Sequence, residues 1–159
     1  MPKAVPATAQ PLIYSYHYRA FMNDTFKIML VDDDEDDRML FALAVSEINP
    51  SHSYILIENC NEALDNLVNI QPEIIFLDLN MPDMHGFECL EKIKATTTTS
   101  HIPVVIYSTS GYCVDIEKAK ELGAAGYLKK PSDFDDLCIK LKEAIAHIRS
   151  GNTEYYISS

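Results

Sequence analysis

The sequence predicts an α/β protein built on a doubly wound parallel sheet, and three observations carry that prediction. Five short apolar runs, rich in β-branched residues, have the unbroken hydrophobicity of strands covered on both faces. Segments whose apolar residues recur at helical spacing separate them, and such alternation selects a parallel sheet with right-handed crossovers. Polar residues stand where four of the runs end: Asp32 and Asp33, Asp78, Ser108, and Lys130. Parallel α/β sheets bind ligands at the carboxyl ends of their strands, so these endings form the candidate site.

Residues 1–24 stand outside this pattern. Pro2, Pro6 and Pro11 alternate with Ala and Thr, and Tyr14, Tyr16 and Tyr18 follow without a continuing period, which predicts a flexible N-terminal extension. Met22, just ahead of the first strand, offers an alternative translation start; otherwise the upstream residues are a tail or docking arm. Residues 25–149 form one predicted domain, with no internal repeat.

Its first strand, Lys27 to Val31, leads to a helix from about Glu35 to Ile48, in which Leu40, Leu43, Ala44 and Ile48 recur at helical spacing. Tyr54 to Glu58 precedes a short helix around Glu62 to Val68, with Ala63, Leu64, Leu67 and Val68 on one face. Ile74 to Asp78 passes through Met81-Pro82-Asp83-Met84-His85-Gly86 into a helix of roughly Phe87 to Lys94. Val104 to Ser108 precedes a helix near Val114 to Leu122, which Gly123 ends as a C-cap glycine does.

The fifth strand, Gly126 to Lys129, stops at Pro131, which has no N–H for a ladder. A last helix is predicted from about Asp133 to His147. Ser132 and Asp135 have capping-box spacing, and Asp133, Asp135 and Asp136 put negative charge where the helix dipole favours it. Phe134, Leu137, Leu141, Ile145 and Ile148 form its apolar stripe. Residues 150–159 predict a C-terminal tail too short for an effector domain, so regulation is expected to act through partners.

A chain of 159 residues, 47% hydrophobic and 23% charged, fits one soluble globular domain. Its formal charge of −11 excludes binding nucleic acid through the phosphates, which requires a basic face, and favours cations and basic partner surfaces. Cys60, Cys89, Cys113 and Cys138 lie far apart without a C-x-x-C pair, so neither a zinc site nor a disulfide framework is indicated. No apolar run approaches the ~20 residues of a membrane span, and the N-terminus lacks the pattern of an export signal. The expected location is the cytoplasm.

The strand endings carry the chemistry. Asp32, Asp33 and Asp78 would repel one another and raise one another's pKa values. A hard divalent cation removes that cost, and magnesium suits a site of few carboxylates, waters and phosphate oxygens. Three carboxylates, one Mg²⁺ and Lys130 sum to zero charge, so an incoming phosphoryl group meets a neutral, polarising site. A carboxylate can serve as nucleophile in such a transfer, which depends on in-line positioning and charge stabilisation. Asp78 is the candidate nucleophile, Asp32 and Asp33 the metal side, Lys130 the second cation, and Ser108 a hydroxyl for the transferred group. Asp34 to Asp37 are read as helix-start charges. A calcium loop is rejected, because its sixth position would be Asp37 instead of Gly and its twelfth Leu43 instead of Glu.

Asp32-Asp33, Asp78 with Asn80-Met81-Pro82 and Gly86, Ser108, and Tyr127 with Lys130-Pro131 together resemble the motif set of response-regulator receiver domains, over about Lys27 to Arg149. The resemblance implies a flavodoxin-like sheet of order 2-1-3-4-5. It implies a phosphoacceptor signalling domain, not an enzyme, in which Asp78 takes a phosphoryl group from a phosphohistidine on a sensor kinase or histidine phosphotransfer protein, with Mg²⁺. By position, Asp33 is the direct metal ligand, Asp32 acts partly through water, and Asp78 and the backbone carbonyl of Asn80 complete the set. Ser108 and Lys130 hold the phosphoryl oxygens. Tyr127 is the aromatic switch that turns inward, the Lys130–Pro131 bond is cis, and a downstream protein target reads the change. His85 departs from the family's usual Asp or Asn, while Asn80 and Ser110 sit where side chains govern access of water to the phosphate.

Two alternatives remain beside this reading. Asp32-x-Asp34 after a strand is similar to haloacid-dehalogenase-type phosphatases, which leaves Asp78 and Lys130 unexplained. A receiver-like scaffold that binds partners without being phosphorylated would keep the same residues. His17, His52, His101 and His147 show no ligand spacing and are read as surface or capping residues.

Overall fold

The computed structural model describes residues 25–158. The N-terminal extension predicted for residues 1–24, including the Met22 start, lies outside them. The elements are β1 Lys27–Val31, α1 Glu35–Ile48, β2 Ser53–Ile57, α2 Cys60–Ile70, β3 Ile74–Leu77, α3 Gly86–Ala95, β4 Val104–Ser108, α4 Cys113–Glu121, β5 Gly126–Lys129, α5 Phe134–Arg149 and β6 Tyr156–Ser158. The strands form one sheet of order β2-β1-β3-β4-β5-β6, and every neighbouring pair is parallel. The order 2-1-3-4-5 is therefore present, with a sixth strand added at the β5 edge.

Alternate strand residues feed two cores. Met29, Val31, Ile75, Leu77, Val104, Ile106 and Tyr127 face α2, α3 and α4. Ile28, Leu30, Ile74, Phe76, Val105, Tyr107 and Leu128 face α1 and α5. Burial on both sides explains why the strand runs are continuously apolar. No helix among the described residues is long and apolar enough to cross a membrane.

Several local expectations are corrected. In α1 the buried side is Phe41, Ala44 and Val45, while Leu40 and Leu43 are exposed; the stripe lies one position away because the large Phe41 ring packs against Phe76 and Tyr107. The N-cap of α5 is Asp133, whose carboxylate accepts from the Asp136 N–H at 3.0 Å, instead of Ser132. The tail predicted for residues 150–159 contributes β6. Tyr156 to Ser158 is too short to register as an apolar run, and it is held by pairing to β5.

Cys60 and Cys89 form a disulfide, although the cysteine spacing indicates no disulfide framework. They are 29 positions apart in sequence, but α2 and α3 pack side by side on one face and bring their Cα atoms to 5.9 Å. Closing a loop of that length restricts the unfolded chain, and the entropy model puts the gain at roughly 3–4 kcal/mol. Reduction by a thiol should therefore lower the urea midpoint and steepen the slope, because the freed unfolded chain exposes more surface; identical midpoints would show that the bond contributes nothing.

The sheet positions the site. Val31 and Leu77 are register partners, so Asp32 and Asp78 leave adjacent strands at one level, and the Asp78 N–H donates to the Val31 carbonyl at 2.9 Å. The chain turns outward to β2 from β1 and back across it to β3. This reversal of winding opens a crevice at the strand ends, where doubly wound sheets place their ligands.

Candidate functional site

Carboxylate oxygens of Asp32, Asp33 and Asp78 all lie within 4.8 Å of one another, the one group among the described residues with ion-holding proximity. Asp32 is fully buried and Asp78 is 5% exposed, whereas Asp33 faces solvent. Asp32 is already committed to protein donors: Oδ1 accepts from the Asp34 N–H at 3.0 Å and Oδ2 from Lys130 Nζ at 2.7 Å. Asp33 lines an opening together with Glu58, Asn59, Met81 and Pro82.

Lys130 sits beneath these groups. Its ammonium donates to Asp32 and Asp37, each at 2.7 Å, and lies 3.8 Å from Asp78. It also stands 5.2 Å from the centre of the Tyr107 ring, close enough for a cation–π attraction. Burial alone would lower the Lys130 pKa, but the hydrogen bonds that it donates to Asp32 and Asp37 outweigh it and push it above the ordinary lysine value. Lys130 therefore stays a cation.

Burial raises the Asp78 pKa above 3.8, and Lys130 and the backbone N–H groups of Asn80 and Leu79 only partly offset it. Asp32 is raised for the same leading reason, with Lys130 opposing. The crevice thus holds carboxylates in a setting that disfavours their charge.

Gly86 fits the loop after β3 tightly against the site. A Cβ there would stand 2.2 Å from the Asp78 carbonyl oxygen and 2.7 Å from Leu79 Cα, so no side chain is compatible with this packing. Its N–H donates to the Leu79 carbonyl at 2.9 Å, and His85 caps α3 through Nδ1, 3.3 Å from the Phe87 N–H. His85 thus replaces the usual acidic or amide cap, and Asn80 is carried at the rim of the crevice.

On the other side, Ser108 is fully buried at the end of β4, with Oγ accepting from the Ser110 N–H at 3.3 Å. Tyr127 is 1% exposed and its hydroxyl donates to the Ser110 carbonyl at 3.0 Å. Ser110 Oγ is hydrogen-bonded to Asp115. The Lys130–Pro131 bond, expected cis, is trans, as are all peptide bonds among the described residues. Trans is the lower isomer by about 0.5–1 kcal/mol, and Lys130 reaches its carboxylates in that form.

Two residues of the site carry no site role in the sequence: Asp37 reads there as a helix-start charge, and Arg38 has no assigned part. Asp37 belongs to the first turn of α1, yet its side chain crosses to Lys130; Asp34, the N-cap, keeps the helix-start role by accepting from the N–H groups of Asp36 and Asp37. Arg38 Nη1 donates to the Asp32 carbonyl at 2.6 Å, closing the first turn onto the strand end. Only spacing from Asp32 could have signalled them: one helical turn carries residues 37 and 38 back over the end of β1.

A doubly wound parallel sheet with an acidic crevice at its switch point, faced by the lysine that follows β5, defines an α/β domain with a candidate cation site. The response regulator receiver domain matches residues 28–142, and the chain belongs to that family. Sporulation initiation phosphotransferase F of Bacillus subtilis is 32% identical over 113 residues, covering 70% of this chain and 86% of its own length. Several longer relatives also match, and the chain spans about half of their length, 54%. Among solved structures, the phosphorylated cyanobacterial phytochrome response regulator RcpA superposes with TM-score 0.71 at 30% identity, covering 80% of this chain and 96% of that one. The Mn(2+)-bound form of response regulator Rcp1 gives 0.65 at 29% identity, covering 77% and 92%. The fold is therefore the flavodoxin-like receiver fold, and residues 28–142 form a receiver domain of the two-component signalling type.

Proposed function

We propose that Asp78 is the phosphoacceptor of a phosphorelay, taking its phosphoryl group from a phosphohistidine of a sensor kinase or histidine phosphotransfer protein. The observation that carries this reading is the meeting of Asp32, Asp33 and Asp78 within 4.8 Å, beside Lys130. The donor set is all oxygen and carboxylate-rich, which fits Mg²⁺. Asp33, Asp78 and the Asn80 carbonyl would hold the ion, with Asp32 behind them because its oxygens already accept from Lys130 and Asp34. Bound there, the cation would neutralise charge on the equatorial phosphoryl oxygens.

The rest is work for the chain. Asp78 attacks phosphorus as the P–N bond of the donor breaks, and the ring nitrogen keeps the electron pair. Lys130 takes a phosphoryl oxygen in place of part of its hold on Asp32 and Asp37. Ser108 offers its hydroxyl from the opposite wall, and its movement is passed to Tyr127 through Ser110. Asp32, Asp33, Asp37 and Asp78 are balanced by Lys130, Arg38 and one divalent ion, so the site is neutral before the phosphoryl group arrives. The altered surface near β5 binds a downstream protein, and this traffic takes place in the cytoplasm.

Incubation with acetyl phosphate and Mg²⁺, followed by intact mass measurement, tests the proposal. One phosphoryl adduct on the wild type, absent from Asp78→Asn, is the expected outcome. Multiple turnover of the donor would mark a phosphatase, and no adduct on either protein would mark a scaffold; both reject the phosphoacceptor role.

A further inference from the structure

We infer that β6 is a built-in strap that holds Tyr127 inward, so that docking of residues 153–158 and phosphorylation at Asp78 favour the same conformation. The inference rests on the phosphoacceptor reading and adds to it the element that biases the switch.

The strap lies on the switch itself. In the β5–β6 pairing, Ile157 is the register partner of Tyr127, and the Tyr156 N–H donates to the Ala125 carbonyl at 3.1 Å. Gly126 makes the approach possible: a Cβ there would stand 2.8 Å from both Cβ and the carbonyl oxygen of Tyr156. Any larger residue at position 126 would push β6 away.

The strap also ties together the two helices that flank β5. Tyr155 packs against the same core as Tyr127, and its hydroxyl reaches the Ile116 carbonyl of α4 at 3.3 Å. That anchor matters because α4 buries only Ala119 of its own residues. On the other side, the Tyr156 ring lies tilted against that of His147 of α5, with centroids 5.3 Å apart, and His147 Nε2 meets the Glu154 carbonyl at 2.8 Å.

These contacts join two ends of one chain of groups. Tyr127 is bonded to the Ser110 carbonyl, and the Ser110 N–H is bonded to Ser108 Oγ, the hydroxyl that the proposed function assigns to the transferred group. When Tyr127 swings out, it must leave the core that Tyr155 completes. Linkage then makes the coupling reciprocal: whatever factor phosphorylation adds to strap docking, the docked strap adds to binding of the phosphoryl group or its mimic.

Hydrogen exchange on the full chain, with and without beryllofluoride and Mg²⁺, provides the test. The amides of Tyr156 to Ser158 should exchange about fivefold or more slowly in the liganded protein. Gly126→Ala and Tyr155→Ala, which leave the acidic crevice intact, should weaken beryllofluoride binding by a similar factor. Unchanged or faster exchange in β6 while the mimic protects the Asp78 loop would overturn the strap and spare the phosphoacceptor reading. Absence of any protection around Asp78 would take down both. Exchange in the unaltered chain decides the matter even if a variant does not fold.

Discussion

Lys130→Ala is expected to lower folding stability near neutral pH by about 3–5 kcal/mol, the usual cost of removing one partner from a buried ion pair. The Lys130 side chain is 8% exposed and Asp32 is fully buried, so water cannot replace the lost ammonium. Asp32 would be left ionised with only the Asp34 N–H, and Asp37 and Asp78 would lose their nearest cation. Urea unfolding monitored by circular dichroism checks the size. Part of the loss should return on adding Mg²⁺ or on acidification, because each removes the uncompensated negative charge. A variant as stable as wild type would mean that the lysine holds nothing in place. The same substitution should slow the gain of the acetyl phosphate adduct, since a phosphoryl oxygen loses its protein cation.

Stabilisation by Mg²⁺ should grow as pH rises from 3.8 toward neutrality. Burial lifts the Asp32 and Asp78 pKa values above 3.8, so the folded protein holds these protons more tightly than the unfolded chain does. The contribution of these groups to stability is complete below 3.8 and is lost as pH climbs through their raised values. A divalent ion binds the ionised forms and reverses the loss, giving about 2.7 kcal/mol at a hundredfold excess over Kd. Thermal unfolding at acid and neutral pH, with and without Mg²⁺, measures this directly; an equal shift at both would refute it. Asp78→Asn follows from the same physics. Removing a disfavoured charge should raise the midpoint of the metal-free protein at neutral pH and shrink the response to Mg²⁺.

Most of the fold is written in local pattern. β3 and β4 read as strands because Ile74 to Leu77 and Val104 to Ser108 are buried on both faces, and continuous apolarity is the mark of such strands. Gly123, with φ of 88°, ends α4 as its conformational freedom predicts. The acidic crevice was legible for a related reason. In a parallel sheet, each strand end exposes its next residue at one edge, so Asp32, Asp78 and Lys130 needed only their places after apolar runs to be brought together.

Other features carried no local signal. Leu40 and Leu43 have helical spacing yet face outward, because the direction of an α1 stripe is settled by which side meets Phe76 and Tyr107. β6 has three residues, fewer than any periodicity needs, and exists only where Gly126 leaves room beside β5. Asp37 looked like one more helix-start charge until α1 was laid across the end of β1.

The order of elements, the two-sided core and the carboxylates at the sheet edge were determined by the sequence alone, because each depends on neighbours along the chain and on the regular geometry of a strand or helix. Only the tertiary structure decided the Cys60–Cys89 bond, the reach of Asp37 and Arg38 into the site, and the sixth strand over Tyr127. Those contacts join residues from separate elements, and their formation depends on the distances at which the elements pack.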